Sequence, residues 1–241
     1  MSKAGAAFSL PSRSTQLDST MRYKLLGSTI TPPPIALVSN IDEHGVLDAA
    51  PFSYFNVFGE DPAVVGISIL SRSSDDPKDT GHNVRRSGEF VINLVDESTL
   101  DAMKITAIGF SRDVDEFKAA KISSAPSTKI AVPRIAESRV SLECKLLQVI
   151  EFGAMRSLAI GEVLAMHIAD DAVLDAERGH VDLPKLGIVG RAGAHSYVRT
   201  SDVIKLAVPS AERVHGELTG LINSNAPFGR AEKRQPPPRR L

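Results

Sequence analysis

The chain has 241 residues, a net charge of −1 and 42% apolar residues. This length and apolar content suffice for one large domain or two small ones with a buried core. The near-neutral charge argues against a whole-domain electrostatic grip on nucleic acid, and no run of about 18 apolar residues predicts a membrane span. Cys144 is the single cysteine, which excludes intrachain disulfides and multi-cysteine metal sites.

The two ends of the chain differ in composition from the middle. Residues 1–21 mix Ser, Ala and Pro without periodicity and predict an extended arm without a secretory signal, so a cytoplasmic protein is expected. The main domain is predicted over residues 22–206, followed by a C-terminal extension over 207–241. Residues 226–241 carry a charge of +4 and three consecutive prolines, which predicts a solvated, mobile tail. A ligand for a proline-recognising module is the less favoured alternative.

Between these ends the pattern is mainly β. The β-branched run at 35–40 is followed by turn signals at 42–45, and residues 138–151 alternate apolar and polar side chains as a half-buried strand does. Gly153 predicts a hairpin turn between this strand and the next one. The predicted strands cover residues 35–40, 46–50, 64–70, 89–95, 138–151, 156–168, 187–190 and 197–206.

Three helices are predicted among the strands, over residues 80–87, 97–106 and 113–121. Gly88 suits the left-handed position that ends the first of them. Several strands with short turns and interspersed helices predict a mainly β fold, a β-barrel with helical insertions. The regular strand–helix rhythm of a doubly wound sheet is absent.

Residues 78–83 carry the groups of a phosphate site. If Thr80 begins the helix, its hydroxyl can cap it, and free backbone N–H groups of the first turn face an anion. Lys78 adds a point charge, and Ser71 and Arg72 add a hydroxyl and a guanidinium. Asp79 is expected to orient Lys78 or Arg72. A polar loop with an ordinary helix cap is the alternative, which spacing alone slightly favours.

Residues 50–56 place short polar side chains among aromatic ones just after a predicted strand. Ser53, Phe55 and Asn56 could offer a flat apolar wall with donors and acceptors for a flavin ring. On composition alone, a loop whose aromatic side chains fill the core is the favoured alternative. Taken together, the two segments match the ring and the phosphate of flavin mononucleotide (FMN).

A third group of polar residues follows a glycine-rich segment. Gly187, Gly190 and Gly193 are spaced like a dinucleotide fingerprint, but they precede a strand and do not open a helix, so a Rossmann site is rejected. Arg191, His195 and Tyr197 remain as candidate substrate-binding residues. His195 could guide a nicotinamide or adjust flavin protonation, although a lone His is more often structural.

Other reactive residues predict no catalytic dyad and no metal site. The six histidines show no metal-ligand spacing, and Ser53 lacks the G-x-S-x-G turn of a hydrolase nucleophile. Cys144 lies in the middle of a predicted strand, so we expect a small buried hydrophobe there.

Nine segments and Tyr197, taken in their order along the chain, resemble the flavin reductase-like family, whose fold is the FMN-binding split barrel. The resemblance covers residues 22–206. One departure is Pro33, where the family often has Arg between the prolines. The matching segments are residues 31–39, 50–56, 78–83, 89–95, 115–117, 133–134, 142–144, 160–163 and 190–191, with Tyr197.

The resemblance implies a homodimer that holds FMN in a groove at or near the dimer interface. By motif match, Ser53, Phe55 and Asn56 line the ring, and Ser71, Lys78, Thr80 and Asn83 hold the ribityl phosphate. Many members of this family reduce flavin with NADH or NADPH and pass it to a partner monooxygenase, whereas others keep the FMN and pass electrons on. The alternative is a non-catalytic FMN-binding electron carrier or sensor.

Overall fold

The computed structural model describes residues 18–73, 76–193, 195–210 and 214–215. It divides into two units, residues 1–203 and residues 204–241. In the second unit, residues 204–210 form no helix or strand. Most of the predicted N-terminal arm, up to residue 17, and the predicted basic tail lie outside the described residues.

The first unit is built on a seven-stranded antiparallel sheet with the strand order β2-β1-β5-β8-β9-β4-β3. Its strands are β1 (Ala36–Ile41), β2 (Leu47–Phe52), β3 (Phe55–Glu60), β4 (Ala63–Leu70), β5 (Glu89–Leu94), β8 (Val140–Glu151) and β9 (Arg156–Ile168). This sheet confirms the predicted mainly β class.

Short elements surround the large sheet. The helices are α1 (Ser19–Thr29), α2 (Asp79–Ser87), α3 (Leu100–Thr106), α4 (Glu116–Ala120) and α5 (Leu183–Leu186), with a 3₁₀ helix at Asp170–Ala172. Three two-stranded ladders pair β6 (Ser124–Ala125) with β7 (Arg134–Ile135), β10 (Val173–Asp175) with β11 (His180–Val181), and β12 (Val189–Arg191) with β13 (Tyr197–Arg199). No helix among the described residues has the length and apolar character needed to cross a membrane.

The core lies on both faces of the sheet. Along β1, Ala36 and Val38 belong to one apolar cluster, whereas Leu37 belongs to a second cluster. Because both faces of β1 are covered, its first three residues are all apolar and all buried. Met103 of α3 and Phe117 of α4 pack into the second cluster, and this packing places both helices beside β2.

Glycines end two elements where the sequence predicts them. Gly88 follows α2 with φ +70°, and Gly153 lies between β8 and β9 with φ +70°. Both angles fall in the left-handed region that glycine adopts without steric cost. The predicted helix end and the predicted hairpin are therefore confirmed.

Three predictions about elements are wrong. Helix α1 is not predicted, because it has no buried residue and so shows no apolar stripe. Its first three residues belong to the segment 1–21, which is predicted as an extended arm. Strand β3 is predicted as a loop, but a bulge between Val57 and Gly59 and the exposure of Phe58 disguise its alternation. The strand predicted over 197–206 ends at Arg199.

Candidate functional site

Three cavities meet at Ser53, which lies in the bend that joins β2 to β3. We name them by their charge. The mixed-charge cavity has a volume of about 560 Å³ and is lined by the N-terminus of α2, the end of β2 and residues 106–110. The apolar cavity of about 530 Å³ lies beside Pro32, Pro33 and Pro34. The cationic cavity of about 380 Å³ lies beside Arg191 and Tyr197.

The N-terminus of α2 forms one end of the mixed-charge cavity. The helix begins at Asp79, and Lys78 at its N-cap position makes no side-chain capping bond. The Thr80 hydroxyl donates to Asp48 Oδ2 at 2.9 Å, so the prediction that Thr80 caps the helix is wrong. Because the first-turn N–H groups of a helix have no intrahelical acceptor, this end attracts anions.

Asp79 holds two guanidinium groups beside this helix end. Arg72 donates to both of its carboxylate oxygens, at 3.1 and 2.5 Å, and Arg112 Nε lies 2.9 Å from Oδ1. The hydrogen bond from Arg72 to Asp79 raises the pKa of the guanidinium. Asp79 therefore orients Arg72, one of the two partners expected for it. Lys78 is exposed and makes no ion pair with a described residue.

Two carboxyl groups form the inner wall of the same cavity. Asp48 and Glu116 hydrogen-bond to each other, and Glu116 Oε2 also accepts from the backbone N–H of Ala49 at 3.0 Å. Burial raises the pKa of both groups, and the neighbouring charge of Asp48 helps to raise that of Glu116 to about 8. The protonated form of Glu116 is therefore favoured at neutral pH.

Asn83 reaches this wall only through other side chains. It is buried, and its Nδ2 donates to Asn40 Oδ1 at 2.7 Å, while Asn40 Nδ2 donates in turn to Asp48. Neither Asn83 nor Ser71 lines any of the three cavities. Their roles in binding phosphate remain predictions.

An aromatic wall separates the mixed-charge cavity from the apolar one. The Tyr54 ring lines both cavities, with the Tyr23 ring of α1 at a centroid distance of 6.0 Å. On Tyr54 the Arg156 guanidinium lies 5.2 Å from the ring centroid, and it also donates to Ser68 Oγ at 3.2 Å. The two rings are tilted by 49° to each other, so the wall consists of two apolar ring surfaces with a cation beside one of them.

The predicted ring-binding residues lie on two sides of this wall. Ser53 lines all three cavities, whereas Phe55 and Asn56 line only the apolar cavity. Phe55 is buried in the main core cluster, and Asn56 Oδ1 accepts from the backbone N–H of Val57 at 2.9 Å. No charged side chain among the described residues lines the apolar cavity.

All three predicted substrate residues line the cationic cavity, together with Lys104. Arg191 and Tyr197 face each other in the β12–β13 ladder, and Arg191 Nη1 donates to the Tyr197 hydroxyl at 3.2 Å. The guanidinium carbon lies 5.2 Å from the centre of the Tyr197 ring. Arg191 is therefore held on an aromatic surface at the cavity wall.

Gly190 brings the apolar and cationic cavities together. Its backbone packs so closely on the proline segment that an added Cβ would overlap Pro32 and lie 3.1 Å from the carbonyl oxygen of Pro33. Glycine is needed here because of this close approach and not because of a positive φ. The segment with Pro33, which departs from the family pattern, is therefore fixed directly against β12.

Sequence reasoning missed Tyr23, Asp48, Glu116 and Arg156. Asp48 precedes the matched segment 50–56 and Glu116 lies within the matched segment 115–117, but the contact between Glu116 and Ala49 spans 67 residues, and no local pattern pairs the two carboxyl groups. Cys144 lies where the sequence predicts a buried hydrophobe. It is fully buried, and burial raises the pKa of its thiol to about 12.

Comparison with known proteins agrees with this geometry. Residues 28–183 match the model of the flavin reductase like domain. The 2-nitrobenzoate 2-nitroreductase NbaA of Pseudomonas fluorescens is 35% identical, with 81% of this chain and 94% of that chain covered at a TM-score of 0.74. Component B of nitrilotriacetate monooxygenase from Bacillus cereus is 30% identical, with 83% and 100% covered at a TM-score of 0.77.

A split-barrel protein of Shewanella frigidimarina shares the fold at 21% identity, with 84% of this chain and 100% of that chain covered at a TM-score of 0.72. The match to the domain model spans more than half of the chain, and the likeness to this split-barrel protein agrees with the large antiparallel sheet and helical insertions described above. The chain belongs to the flavin reductase-like family of split-barrel oxidoreductases.

Proposed function

We propose that the protein binds FMN, reduces flavin with NADH or NADPH, and passes electrons to a partner such as a monooxygenase. One observation carries this proposal. A single cavity has a cationic helix end on one side and an aromatic wall on the other, and it adjoins two further cavities at Ser53.

The residues present fit FMN. Lys78, Arg72 and the first-turn N–H groups of α2 supply the donors that a phosphate dianion needs. Tyr54 supplies a flat surface for the ring, and the Ser53 hydroxyl faces the same space. The volume of about 560 Å³ lies within the range of about 300–1,000 Å³ for small-molecule and cofactor sites.

The flavin supplies the hydride chemistry when it is bound. The chain itself binds and orients: Lys78 and Arg72 hold the phosphate, and Ser53 orients the polar edge of the ring. Tyr23 and residues 106–110 line the same cavity and limit the access of water. Glu116 keeps a proton at the cavity wall. No nucleophile is required.

A partner monooxygenase is proposed by analogy with the relative from Bacillus cereus, which is the component B of a monooxygenase. The share of that chain covered, 100%, supports the analogy over the whole length of the relative. The choice between NADH and NADPH and the identity of the partner are left to experiment.

We also propose a homodimer. Leu70 lines the mixed-charge cavity and is 40% exposed, and Phe152 and Met155 at the neighbouring β8–β9 turn are 54% and 42% exposed. Because such apolar side chains favour burial, they fit an interface beside the flavin site. Phe152→Asp is expected to give a monomer with weaker FMN binding, measured by light scattering and FMN titration.

The matched control for the dimer is Leu174→Asp on β10, because Leu174 is also exposed, at 64%, and lines none of the three cavities. This variant should keep the dimer and the FMN affinity. A wild-type monomer with full FMN occupancy would contradict the proposed dimer.

The second candidate function is a non-catalytic FMN-binding carrier or sensor. It is favoured by Pro33, which stands where relatives often have Arg, and by the absence of a recognisable nicotinamide motif in the sequence. A carrier predicts flavin that is bleached slowly by NADH or NADPH and rapidly by a protein electron donor.

One experiment tests both candidates. The absorbance spectrum of the purified protein with FMN is recorded before and after addition of NADH or NADPH without oxygen. Flavin bands that bleach within seconds support the reductase, and bands that persist support the carrier. No uptake of FMN would overturn the site assignment itself.

A further inference from the structure

The cationic cavity differs in charge from its two neighbours. Lys104 and Arg191 line it together with His195, and no Asp or Glu among the described residues does so. In the mixed-charge cavity, by contrast, three basic side chains face three acidic ones. An excess of positive charge in a concave site favours an anion.

The two cations are positioned differently. The backbone of Arg191 is fixed by a hydrogen bond from its N–H to the Pro33 carbonyl at 3.0 Å and by one from the Thr31 hydroxyl to its own carbonyl at 2.9 Å. Its guanidinium lies on the Tyr197 ring. A planar guanidinium held in this way suits the two oxygens of a carboxylate.

Lys104 reaches the cavity from α3. Its ammonium lies 2.6 Å from Asp101, whose side chain is 91% exposed and does not line the cavity. Such a surface ion pair contributes little to stability. The Lys104 ammonium can therefore leave Asp101 and contact an anion in the cavity at a small cost in free energy. The partner carboxylate remains in water.

The size and the walls restrict the ligand further. The volume of about 380 Å³ is near the lower end of the range for small-molecule sites, about 300–1,000 Å³, which fits one substituted ring and not a dinucleotide. The walls include Tyr23, Tyr197 and Met103, which offer flat and apolar contacts. Tyr23 and Ser53 line the mixed-charge cavity as well, so a ring bound here lies beside it.

We propose that the cationic cavity binds a small aromatic carboxylate, with its carboxylate on Arg191 and Lys104 and its ring toward Ser53. Such an acid is then a second substrate when its ring carries a reducible group, which accepts the two electrons and two protons of the reduced flavin and returns the flavin to its oxidised form; NADH or NADPH reduces the flavin again. This role as substrate rests on the proposed function, whereas the binding itself depends only on the described cavity.

Benzoate and its neutral analogue benzamide test the proposal by isothermal titration of the purified full-length protein, without FMN and with saturating FMN. Benzoate should bind at least about tenfold more tightly, because each hydrogen bond to a charged group contributes that much or more. Lys104→Ala and Arg191→Lys should each weaken benzoate binding several-fold. Binding of benzamide should change little.

Lys118→Ala is the matched control. Lys118 pairs with Asp115 at 2.8 Å in the same i,i+3 arrangement on α4, but it lines none of the three cavities. This variant should bind benzoate as the wild type does. Circular dichroism melting of each variant identifies any variant that has lost its fold, and for such a variant Arg191→Gln and Lys104→Met replace it.

The proposal would be overturned by no benzoate binding, by equal affinity for benzoate and benzamide, or by the same loss in Lys118→Ala as in Lys104→Ala. It would also be overturned by Lys104 and Arg191 variants that raise the KM for NADPH while benzoate binding stays unchanged. Titration of FMN by absorbance on the same samples tests the proposed function separately from the proposed carboxylate site. Absence of FMN uptake would refute the proposed function, whereas the benzoate result alone decides whether the cavity binds a carboxylate.

Discussion

Glu116 and Glu143 are both buried glutamates, and yet their pKa values move in opposite directions. Burial alone would raise the pKa of Glu143, but hydrogen bonds from His167, Thr128 and Lys129 lower it to about 2. Two of these bonds are short, 2.5 Å from His167 Nε2 and 2.6 Å from the Lys129 N–H. Burial raises the pKa of Glu116 to about 8, and the charge of the neighbouring Asp48 carboxyl group adds to this rise.

The comparison shows that burial alone does not decide the charge of a buried carboxyl group, because enough hydrogen-bond donors can outweigh it. Glu143 on β8 receives enough donors to stay ionised, and it fastens the backbone of residues 128–129 to the sheet. Glu116 receives one backbone N–H from Ala49 and keeps a proton beside a cavity. A perturbed pKa in a cleft is typical of a functional site, whereas Glu143 has the contacts of a structural residue.

The largest effect is expected from Glu143→Ala. Loss of the buried carboxylate leaves the donors from Thr128, Lys129 and His167 unpaired, and each donor left without a partner should lower the free energy of unfolding by about 1–3 kcal/mol. Urea unfolding at pH 7 measures it. Folding lowers this pKa from its ordinary 4.5 to about 2, so the contribution is complete above about 4.5 and is lost as the pH falls toward 2.

Glu151→Ala on the same strand is the control for Glu143→Ala. Its pair with Arg85 at 2.7 Å is exposed, with 61% of the Glu151 side chain accessible, so the change should stay within about 1 kcal/mol. Equal losses in the two variants would refute the structural role given to Glu143.

A second effect concerns the affinity for FMN of the mixed-charge cavity, which Glu116 also lines. Lys78→Ala should weaken FMN binding by about 1.5–3 kcal/mol, the range for a hydrogen bond to a charged group. Fluorescence titration of FMN measures it, with Lys118→Ala as a control in a lysine outside the cavities. Unchanged affinity in Lys78→Ala would remove Lys78 from the phosphate site.

The last effect concerns the pH dependence of stability and is expected from Glu116→Gln. Folding raises the pKa of Glu116 from 4.5 to about 8, so its contribution to stability is complete below about 4.5 and declines as the pH rises toward 8. The neutral Gln should therefore flatten the fall in the urea midpoint between pH 5.5 and pH 8.5. A variant that keeps the wild-type slope would exclude Glu116 as the group that titrates.

The fold was accessible from sequence where local rules act. The positions of Gly88 and Gly153 and six of the seven strands of the central sheet, all but β3, follow from turn chemistry and apolar runs. Helix α1 escaped because it buries no residue, although Asp18 caps it by accepting from the Met21 N–H at 2.7 Å. That single polar signal has no periodicity to support it.

The candidate site was accessible only in part for a related reason. Two short segments indicate a binding site without reference to the rest of the chain. They contain Lys78 and Ser53, which line one cavity together with Arg72. Asp48 and Glu116 gain their character only from each other, across 68 residues of sequence. A pKa raised by burial and by a carboxyl group distant in sequence is a property of packing, and no pattern in a single sequence encodes it locally.

The close packing of Gly190 on Pro32 has a consequence for protein engineering. Any side chain at position 190 would displace the proline segment, which lines the apolar cavity, and would move the adjacent Arg191, which lines the cationic one. A selection experiment that alters ligand preference should therefore leave this glycine untouched. Position 190 supports one wall of the apolar cavity and one wall of the cationic cavity. The shape of one cavity can therefore be changed without the other only through residues that lie farther from Gly190.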